Sequence, residues 1–159
     1  MELIIETATL KLLDELYEIE KQSFTREAFT KREIACLLGD YNAIGLVARV
    51  NGEIAGFLIG TIEVEKGRMF GHILTLDVAP SYRRIGIAKK LLDELEMLLR
   101  QKGAVECRLE VREGNAAAIN LYLKLGYKGM GKLEKYYGDA HGLYLRKNLS
   151  PPEKSSGKR

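Results

Sequence analysis

The chain has 159 residues, of which 46% are hydrophobic and 30% are charged, a composition that fits one globular domain and excludes an intrinsically disordered protein. The net charge is +3, and the segment from residue 150 onward supplies +2 of it, so the remaining chain does not indicate specific nucleic-acid binding. Without an apolar run of roughly 18 residues or the basic and apolar regions of a signal peptide, we expect a cytoplasmic protein that does not span a membrane.

The two cysteines, Cys36 and Cys107, are far apart in the sequence. Neither has the His–Cys spacing that indicates a zinc site, so we expect no metal. Both stand among apolar residues, which predicts two buried free thiols.

The first half of the chain predicts a strand, two helices and then three strands. Thr7 or Thr9 can cap the first helix. Thr30 and Glu33 have the spacing of a capping box at the start of the second. Asn51-Gly52 joins two β-rich runs and predicts a tight hairpin. In chain order, the six elements are expected over residues 2–6, 10–21, 31–38, 43–50, 53–64 and 68–78.

Segment 74–99 predicts a buried strand, a turn, a short basic loop and a long amphipathic helix. In the loop, Arg83 and Arg84 precede Gly86, which opens the helix. A helix N-terminus has unpaired backbone N–H groups and a partial positive charge, and a glycine allows a ligand to approach the backbone closely. The loop therefore predicts a phosphate site, although the same residues also fit a solvated arginine pair on an ordinary turn.

The second half of the chain alternates strands with a helix. Strands are expected over 104–111, 127–134 and 142–148, and a helix over 116–125 with Asn115 as its N-cap. Because strand–helix–strand units cross over with a right hand, strand 104–111 should lie parallel to strand 75–78. This order predicts a mixed α+β fold. It is not a Rossmann order, and Leu133 replaces the hydroxyl residue that a Walker A loop requires.

Three motifs resemble those of the GNAT family of acyl-CoA N-acyltransferases. The first is Arg-Arg-Ile-Gly-Ile-Ala at 83–88, which matches the pattern Arg/Gln-x-x-Gly-x-Gly/Ala. The second runs over 109–127, and the third is Lys-Tyr-Tyr at 135–137 followed by Asp-Ala-His at 139–141. Within that family the chain is most similar to N-terminal (Nα) protein acetyltransferases, both the ribosomal-protein-alanine type and the catalytic subunits that act on nascent chains.

The resemblance covers about residues 2–149 and implies the GNAT fold. That fold is a central, mostly antiparallel sheet with one parallel pair, flanked by about four helices. We expect one such domain over 1–149. Residues 150–159 are polar and basic, and they predict a disordered tail.

The resemblance implies acetyl-CoA as the acetyl donor. In the family the pantetheine arm pairs with the backbone of the strand that precedes the basic loop, and the loop holds the phosphates. The residues that the resemblance implies for coenzyme binding are Leu76, Asp77, Val78, Arg83, Arg84, Ile85, Gly86, Ile87, Ala88, Asn115 and Tyr122.

The chemistry of acetyl transfer requires a base, because an amine attacks a thioester only when neutral. An α-amino group has a pKa near 8 and a lysine near 10.4, so the α-amine is the easier acceptor. An acid that protonates the departing thiolate also helps. Glu110 interrupts an apolar strand and is the candidate base, although strand alternation alone could point it outward. The resemblance implies that Glu110 is the base and that Tyr122 is the acid. His72 could share the base role or be structural.

The resemblance also implies a peptide site. Tyr136 and Tyr137 match tyrosines that hydrogen-bond the substrate backbone, and Phe24, Thr25 and Arg26 would form the opposite wall. Many relatives have proline where this chain has Thr25, which leaves the preferred N-terminal residue open. We expect protein or peptide N-termini as substrates, with the ribosome or a ribosomal protein as a further implied partner. The alternatives are a GNAT enzyme acting on lysines or small amines, and a degenerate domain that only holds CoA or serves as a partner subunit.

Overall fold

The structure is a computed structural model that describes residues 2–24 and 27–149. Thr25, Arg26 and the basic tail 150–159, which the sequence singled out, lie outside the described residues. The described chain contains seven strands and four α-helices: β1 (Leu3–Thr7), α1 (Leu13–Ser23), α2 (Lys31–Leu38), β2 (Ala43–Val50), β3 (Glu53–Glu65), β4 (Arg68–Val78), α3 (Ile87–Lys102), β5 (Glu106–Arg112), α4 (Ala116–Lys124), β6 (Lys128–Leu133) and β7 (Gly142–Asn148).

All seven strands form one sheet in the order β1-β2-β3-β4-β5-β7-β6. Neighbouring strands are antiparallel, except that β4 and β5 are parallel. Helix α3 connects these two strands, as expected for a crossover unit. The sheet and the four helices confirm the predicted fold class and the single parallel pair.

The parallel strands β4 and β5 are paired only near their starts. The register joins Phe70–His72 to Glu106–Arg108. Beyond this point β4 follows β3 as far as Val78, whereas β5 follows β7 to Arg112. In the part of the chain that the structure describes, a wedge therefore opens between β4 and β5. A bulge leaves Leu74 without a partner on β3 just where the wedge begins.

Different helices cover the two faces of the sheet. Helices α1 and α2 pack against one face, and α3 packs against the other through a larger core. The packing of α3 is tight at Gly71, where an added Cβ would lie 2.4 Å from a methyl group of Leu99. The longest helix, α3, has 16 residues, and no helix within 2–24 and 27–149 has the length and apolar character needed to cross a membrane.

Short-range signals in the sequence are largely confirmed. Thr30 and Glu33 form both hydrogen bonds of the capping box, at 3.1 and 2.9 Å. Asn51 and Gly52 take positive φ angles of 50° and 88°, as a tight hairpin requires. The predicted start of the first helix is wrong in detail. A 3₁₀ turn over Leu10–Leu12 precedes α1, and Thr9 makes no side-chain capping bond.

The prediction of two buried thiols is wrong for one of them. Cys107 on β5 is buried, but Cys36 on α2 is exposed. The helix α2 has only eight residues and buries a single side chain, Ile34. Because residues two apart point to different sides of a helix, Cys36 faces away from the surface that Ile34 contacts.

Candidate active site

The wedge between β4 and β5 contains a cavity of about 230 Å³. Both strands contribute to its walls, and so do the α1–α2 connection, the start of α4 and the loop that joins β6 to β7. The lining includes Phe24, Phe29, His72, Leu76, Glu110, Arg112, Asn115, Tyr122, Tyr136 and Tyr137. The cavity thus collects side chains from the second and third motifs, but not from the basic loop, which is the first.

His72 stands between two carboxylates. Its Nε2 lies 2.8 Å from Oε1 of Glu110, and its Nδ1 lies 3.1 Å from Oε2 of Glu63. The hydrogen bond to Glu110 is the main cause that raises the pKa of His72 above 6.5, and the interaction with Glu63 adds to it. Burial acts in the opposite direction but is outweighed. The ring therefore holds a second proton to higher pH than a free histidine does.

Glu110 faces the cavity rather than open water. Alternation along β5 places Leu109 and Val111 in the core beneath α3, so Glu110 lies on the opposite face. There the β6–β7 loop stands over it, and the Tyr136 hydroxyl lies 3.5 Å from its Oε1. The Glu110 side chain keeps 19% of its exposure. A half-buried carboxylate of this kind can accept a proton from a ligand in the wedge.

Tyr122 lines the cavity from α4 and is itself buried. Its ring packs edge-to-face against Tyr127, with the ring centroids 5.6 Å apart. Burial raises the pKa of Tyr122 above its usual value of 10. The phenol therefore keeps its proton at neutral pH and offers an O–H donor in the cavity.

The basic loop leads directly into α3. Arg84 and Gly86 both take positive φ angles, 65° and 88°, and Gly86 is the N-cap of α3. Such left-handed residues before a helix N-terminus are typical of anion-binding backbone concavities. The Arg83 guanidinium turns back, and its Nε donates to the Val78 carbonyl at 3.0 Å. Arg84 and Ile85 are exposed, whereas the Ile87 side chain belongs to the core.

The other residues predicted to bind coenzyme fall into two groups. Leu76, Asp77 and Val78 lie on the part of β4 that borders the wedge, so their backbone groups face the predicted position of the pantetheine arm. The Asp77 side chain is buried beneath α1 and therefore lies away from the wedge. Asn115 lines the cavity, and its side-chain oxygen caps α4 by accepting from the Ala118 N–H at 3.2 Å.

Beneath α1, two buried carboxyl groups meet at one hydroxyl. The Thr75 oxygen lies 2.8 Å from Glu20 and 2.6 Å from Asp77. A hydroxyl has only one proton to donate, so the second contact requires a proton on a carboxyl group. Burial, followed by the neighbouring Glu20, raises the pKa of Asp77 well above its usual value. The Asp77 carboxyl therefore supplies that proton.

Arg112 crosses the mouth of the cavity at the end of β5. Its guanidinium binds both carboxylate oxygens of Glu27 at 2.9 and 3.1 Å, and it reaches Asp139 at 3.2 Å. It also lies 5.2 Å from the centre of the Tyr137 ring. Arg112 thus joins the α1–α2 connection to the β6–β7 loop. The Glu27 carboxylate is therefore held at the mouth of the cavity by Arg112.

The cavity brings together most of the side chains expected to act on the acceptor: Phe24, His72, Glu110, Tyr122, Tyr136 and Tyr137. His141 accepts a hydrogen bond from the Lys135 N–H at 2.8 Å and organises the β6–β7 loop. The sequence reasoning missed Glu63, Glu20 and the ion pairs of Arg112. Only Arg112 carried a signal, since it stands inside the second motif.

Comparison with known proteins agrees with these motifs. The profile described as Acetyltransferase (GNAT) family matches residues 11–127. The chain is 37% identical over 121 residues to an N-alpha-acetyltransferase of Sulfurisphaera tokodaii, covering 68% of this chain and 70% of that protein. It is 39% identical over 102 residues to the N-terminal acetyltransferase A complex catalytic subunit NAA10 of Arabidopsis thaliana, covering 62% of this chain and 53% of that subunit.

A similar solved structure is that of Ard1 from Thermoplasma volcanium, with a TM-score of 0.85 and 27% identity over 95% of this chain and all of that one. Together with the wedge and the glycine loop, these matches define the class: the chain belongs to the GNAT acetyltransferase family. More particularly, it is an acetyl-CoA-dependent N-acetyltransferase.

Proposed function

We propose that this protein is an Nα-acetyltransferase, which transfers the acetyl group of acetyl-CoA to the N-terminal amino group of proteins or peptides. The observation that carries the proposal is the cavity in the wedge, where Glu110 and Tyr122 line the same space beneath Tyr136 and Tyr137. The S. tokodaii relative supports the choice of acceptor, because it is named as an N-alpha-acetyltransferase.

The reaction is a direct attack within a complex of enzyme, acetyl-CoA and acceptor. The amine nitrogen forms a bond to the acetyl carbon, and the carbon–sulfur bond breaks. Glu110 takes the proton that the nitrogen loses, and the Tyr122 phenol protonates the departing thiolate. Solvent then restores both groups. The pKa of Tyr122 is raised by burial, so the phenol is protonated when the thiolate forms.

Donor binding follows from the loop and the strand edge. The N–H groups at the start of α3 and the exposed Arg84 would hold the pyrophosphate. The edge of Leu76–Val78 that faces the wedge pairs with no strand among the described residues, and it would bind the amide groups of the pantetheine arm as a neighbouring strand does. Ile87 can contribute only its backbone, because its side chain is in the core.

Acceptor binding is proposed at the mouth of the cavity. Tyr136 and Tyr137 pack edge-to-face with their centroids 4.9 Å apart, which holds both rings beside Glu110. A phenol offers an apolar ring and a polar tip, which suits contact with a peptide backbone. Phe24 and Phe29 form the opposite wall. Thr25 and Arg26 stay predictions, and so do the ribosomal partner and the cytoplasmic location.

The test is an acetylation assay with a panel of peptides. The purified protein, acetyl-CoA and peptides that differ in their first two residues are incubated, and mass spectrometry locates the added acetyl group. Each peptide is paired with a version whose N-terminus is blocked but whose lysine is free. We expect modification of the free α-amine only. Acetylation confined to lysines or to small amines would replace the proposal, and CoA binding without any turnover would indicate a degenerate module.

A further inference from the structure

A second concavity of about 350 Å³ lies behind the His72–Glu110 pair, on the same face of the sheet. It shares these two residues with the cavity in the wedge, so the pair separates the acceptor site from an outer groove. Glu63 stands on the outer side, with 43% of its side chain exposed. The groove is lined by Glu63, Glu65, Phe70, His72, Arg108, Glu110, Leu133 and Tyr144.

Glu63 is held in place by two contacts to the same oxygen. Its Oε2 accepts a hydrogen bond from the Thr61 hydroxyl at 2.9 Å and lies 3.1 Å from Nδ1 of His72. A carboxylate can only accept hydrogen bonds. The contact with Glu63 therefore favours a proton on Nδ1 of His72, and the contact with Glu110, at 2.8 Å, favours one on Nε2 in the same way.

We propose that Glu63 is a positioning residue of the acetyl-transfer site: it fixes the orientation of the His72 ring and favours the tautomer with Nδ1–H, so that Nε2 faces Glu110 and takes up the proton that Glu110 accepts from the amine. This inference rests on the function proposed above. In a neutral imidazole one nitrogen donates and the other accepts, and the partner of the first decides which nitrogen is free. With Nδ1–H directed at Glu63, Nε2 can accept a hydrogen bond from Glu110, 2.8 Å away, once Glu110 has taken a proton.

The proton then has a balanced path. As the nitrogen–carbon bond forms, the acceptor loses one proton to Glu110, and Glu110 passes it to Nε2 of His72. His72 is then positively charged between two carboxylates, and it returns to the neutral form by losing a proton to solvent through the outer groove. The hydrogen bond to Glu110 and the interaction with Glu63 raise the pKa of His72. This brings its proton affinity closer to that of an α-amine, as an effective base requires.

The neighbouring charged groups Arg108 and Glu65 are bonded to other partners, so Glu63 is the group that positions Nδ1 of His72. From β5, Arg108 is bonded to Glu106 at 2.6 Å and to Glu65 at 3.4 Å, and it stacks on the Phe70 ring at 3.6 Å. Glu65 is thus engaged on the same strand and face as Glu63 without contacting His72. The other titratable groups of the two cavities lie on several elements. They are Glu20 on α1, Glu27 in the α1–α2 connection, Arg112 on β5, Tyr122 on α4, Tyr144 on β7, and Tyr136 and Tyr137 in the β6–β7 loop.

The experiment compares Glu63→Gln with Glu65→Gln, a matched control on the same strand and face. Nitrogen-15 spectra of the two histidines, His72 and His141, report the tautomer and the pKa of each ring. We expect Glu63→Gln to move the neutral His72 ring to the Nε2–H tautomer and to lower the pKa of His72 by about one unit. Glu65→Gln should leave both properties as in the unmodified protein.

Kinetics supply the second measurement. With peptide and acetyl-CoA saturating, we expect Glu63→Gln to lower kcat by about tenfold or more and to shift the acidic limb of its pH profile downward with the pKa of His72. An unchanged tautomer and pKa in Glu63→Gln would overturn the inference. An altered ring without a shift of the kcat limb would also overturn it, because His72 would not carry the proton. The spectra need no acceptor, so they decide the role of Glu63 even if α-amines are not acetylated.

Discussion

One face of β4 contacts two pairs of acidic side chains, and the extra proton that reduces the repulsion within each pair is held by a different kind of group in each. The buried group, Glu20 and Asp77, meets at the Thr75 hydroxyl beneath α1. The half-exposed group, Glu63 and Glu110, meets at the two nitrogens of His72. Each group has two carboxyls around one bridging side chain. They differ in burial and in whether the bridge can carry a positive charge.

The difference explains which group holds the extra proton. A hydroxyl cannot take a positive charge. In the buried group, burial is the main cause that raises the pKa of Asp77, and the neighbouring Glu20 is the second. In the half-exposed group the imidazole accepts the proton, and the pKa of His72 rises instead. A carboxyl pair bridged by histidine can therefore exchange protons with a reacting amine near neutral pH. The pair bridged by threonine serves to hold α1 against the sheet.

The largest effect is expected where the half-exposed group loses Glu110, the proposed base. Glu110→Gln should lower kcat by about 10² to 10⁴-fold, the contribution typical of a positioned base. CoA binding, measured by calorimetry, should be retained. Glu113→Gln is the control, since Glu113 lies three residues on and pairs with Lys132 at the surface. A Glu110→Gln enzyme with full kcat would exclude Glu110 as the base.

An intermediate effect is expected in the buried group. Glu20 accepts the Phe29 N–H at 2.9 Å as well as the Thr75 hydroxyl, so Glu20→Ala removes both hydrogen bonds and leaves the part-buried Phe29 N–H without this acceptor. The free energy of unfolding should fall by about 1–3 kcal/mol, as measured by urea denaturation. Glu18→Ala is the control, because Glu18 is 62% exposed in its pair with Lys21. Equal stability of the two variants would show that the buried contacts contribute nothing.

The smallest effect should appear as a change in the pH dependence of the free energy of unfolding. The folded protein holds a proton on Asp77 at pH values where the unfolded chain has lost it, because the folded pKa is raised. Stability therefore falls as the pH rises from near 4 towards the folded pKa. Asp77→Asn mimics the protonated form and removes this contribution. The variant should gain stability relative to the unmodified protein as the pH rises from 5 to 8. A constant difference between the two unfolding curves would contradict the assignment.

The parts of the fold that could be predicted depend on neighbours in sequence. The capping box at Thr30, the turn at Asn51-Gly52 and the cap at Asn115 are all local signals, and each is present in the structure. The parallel pairing of β4 and β5 followed from the crossover rule. In the structure this pairing brings His72 of β4 within 2.8 Å of Glu110 on β5.

The remaining features of the site depend on contacts between segments that are distant in sequence. The hydrophobic periodicity of each segment does not encode these contacts. Thr75 meets Glu20 across 55 positions, and Arg112 meets Glu27 across 85. Glu63 stands in a strand pattern that indicates only an outward-facing acid, and nothing local says that an imidazole will lie beside it. Cys36 stands among apolar residues in the sequence, yet only Ile34 of its helix is buried.

Where β4 and β5 diverge in the described chain, each strand has an edge without a neighbouring strand, although both strands lie in the middle of the sheet. Exposed edges make a fold prone to pairing with other chains and less resistant to opening. A ligand that lies along such an edge and binds only the folded chain adds RT ln(1 + [L]/Kd) to its stability, about 2.7 kcal/mol at a hundredfold excess over Kd. The lifetime of this enzyme should therefore follow the concentration of its acetyl donor, with donor depletion favouring aggregation or proteolysis.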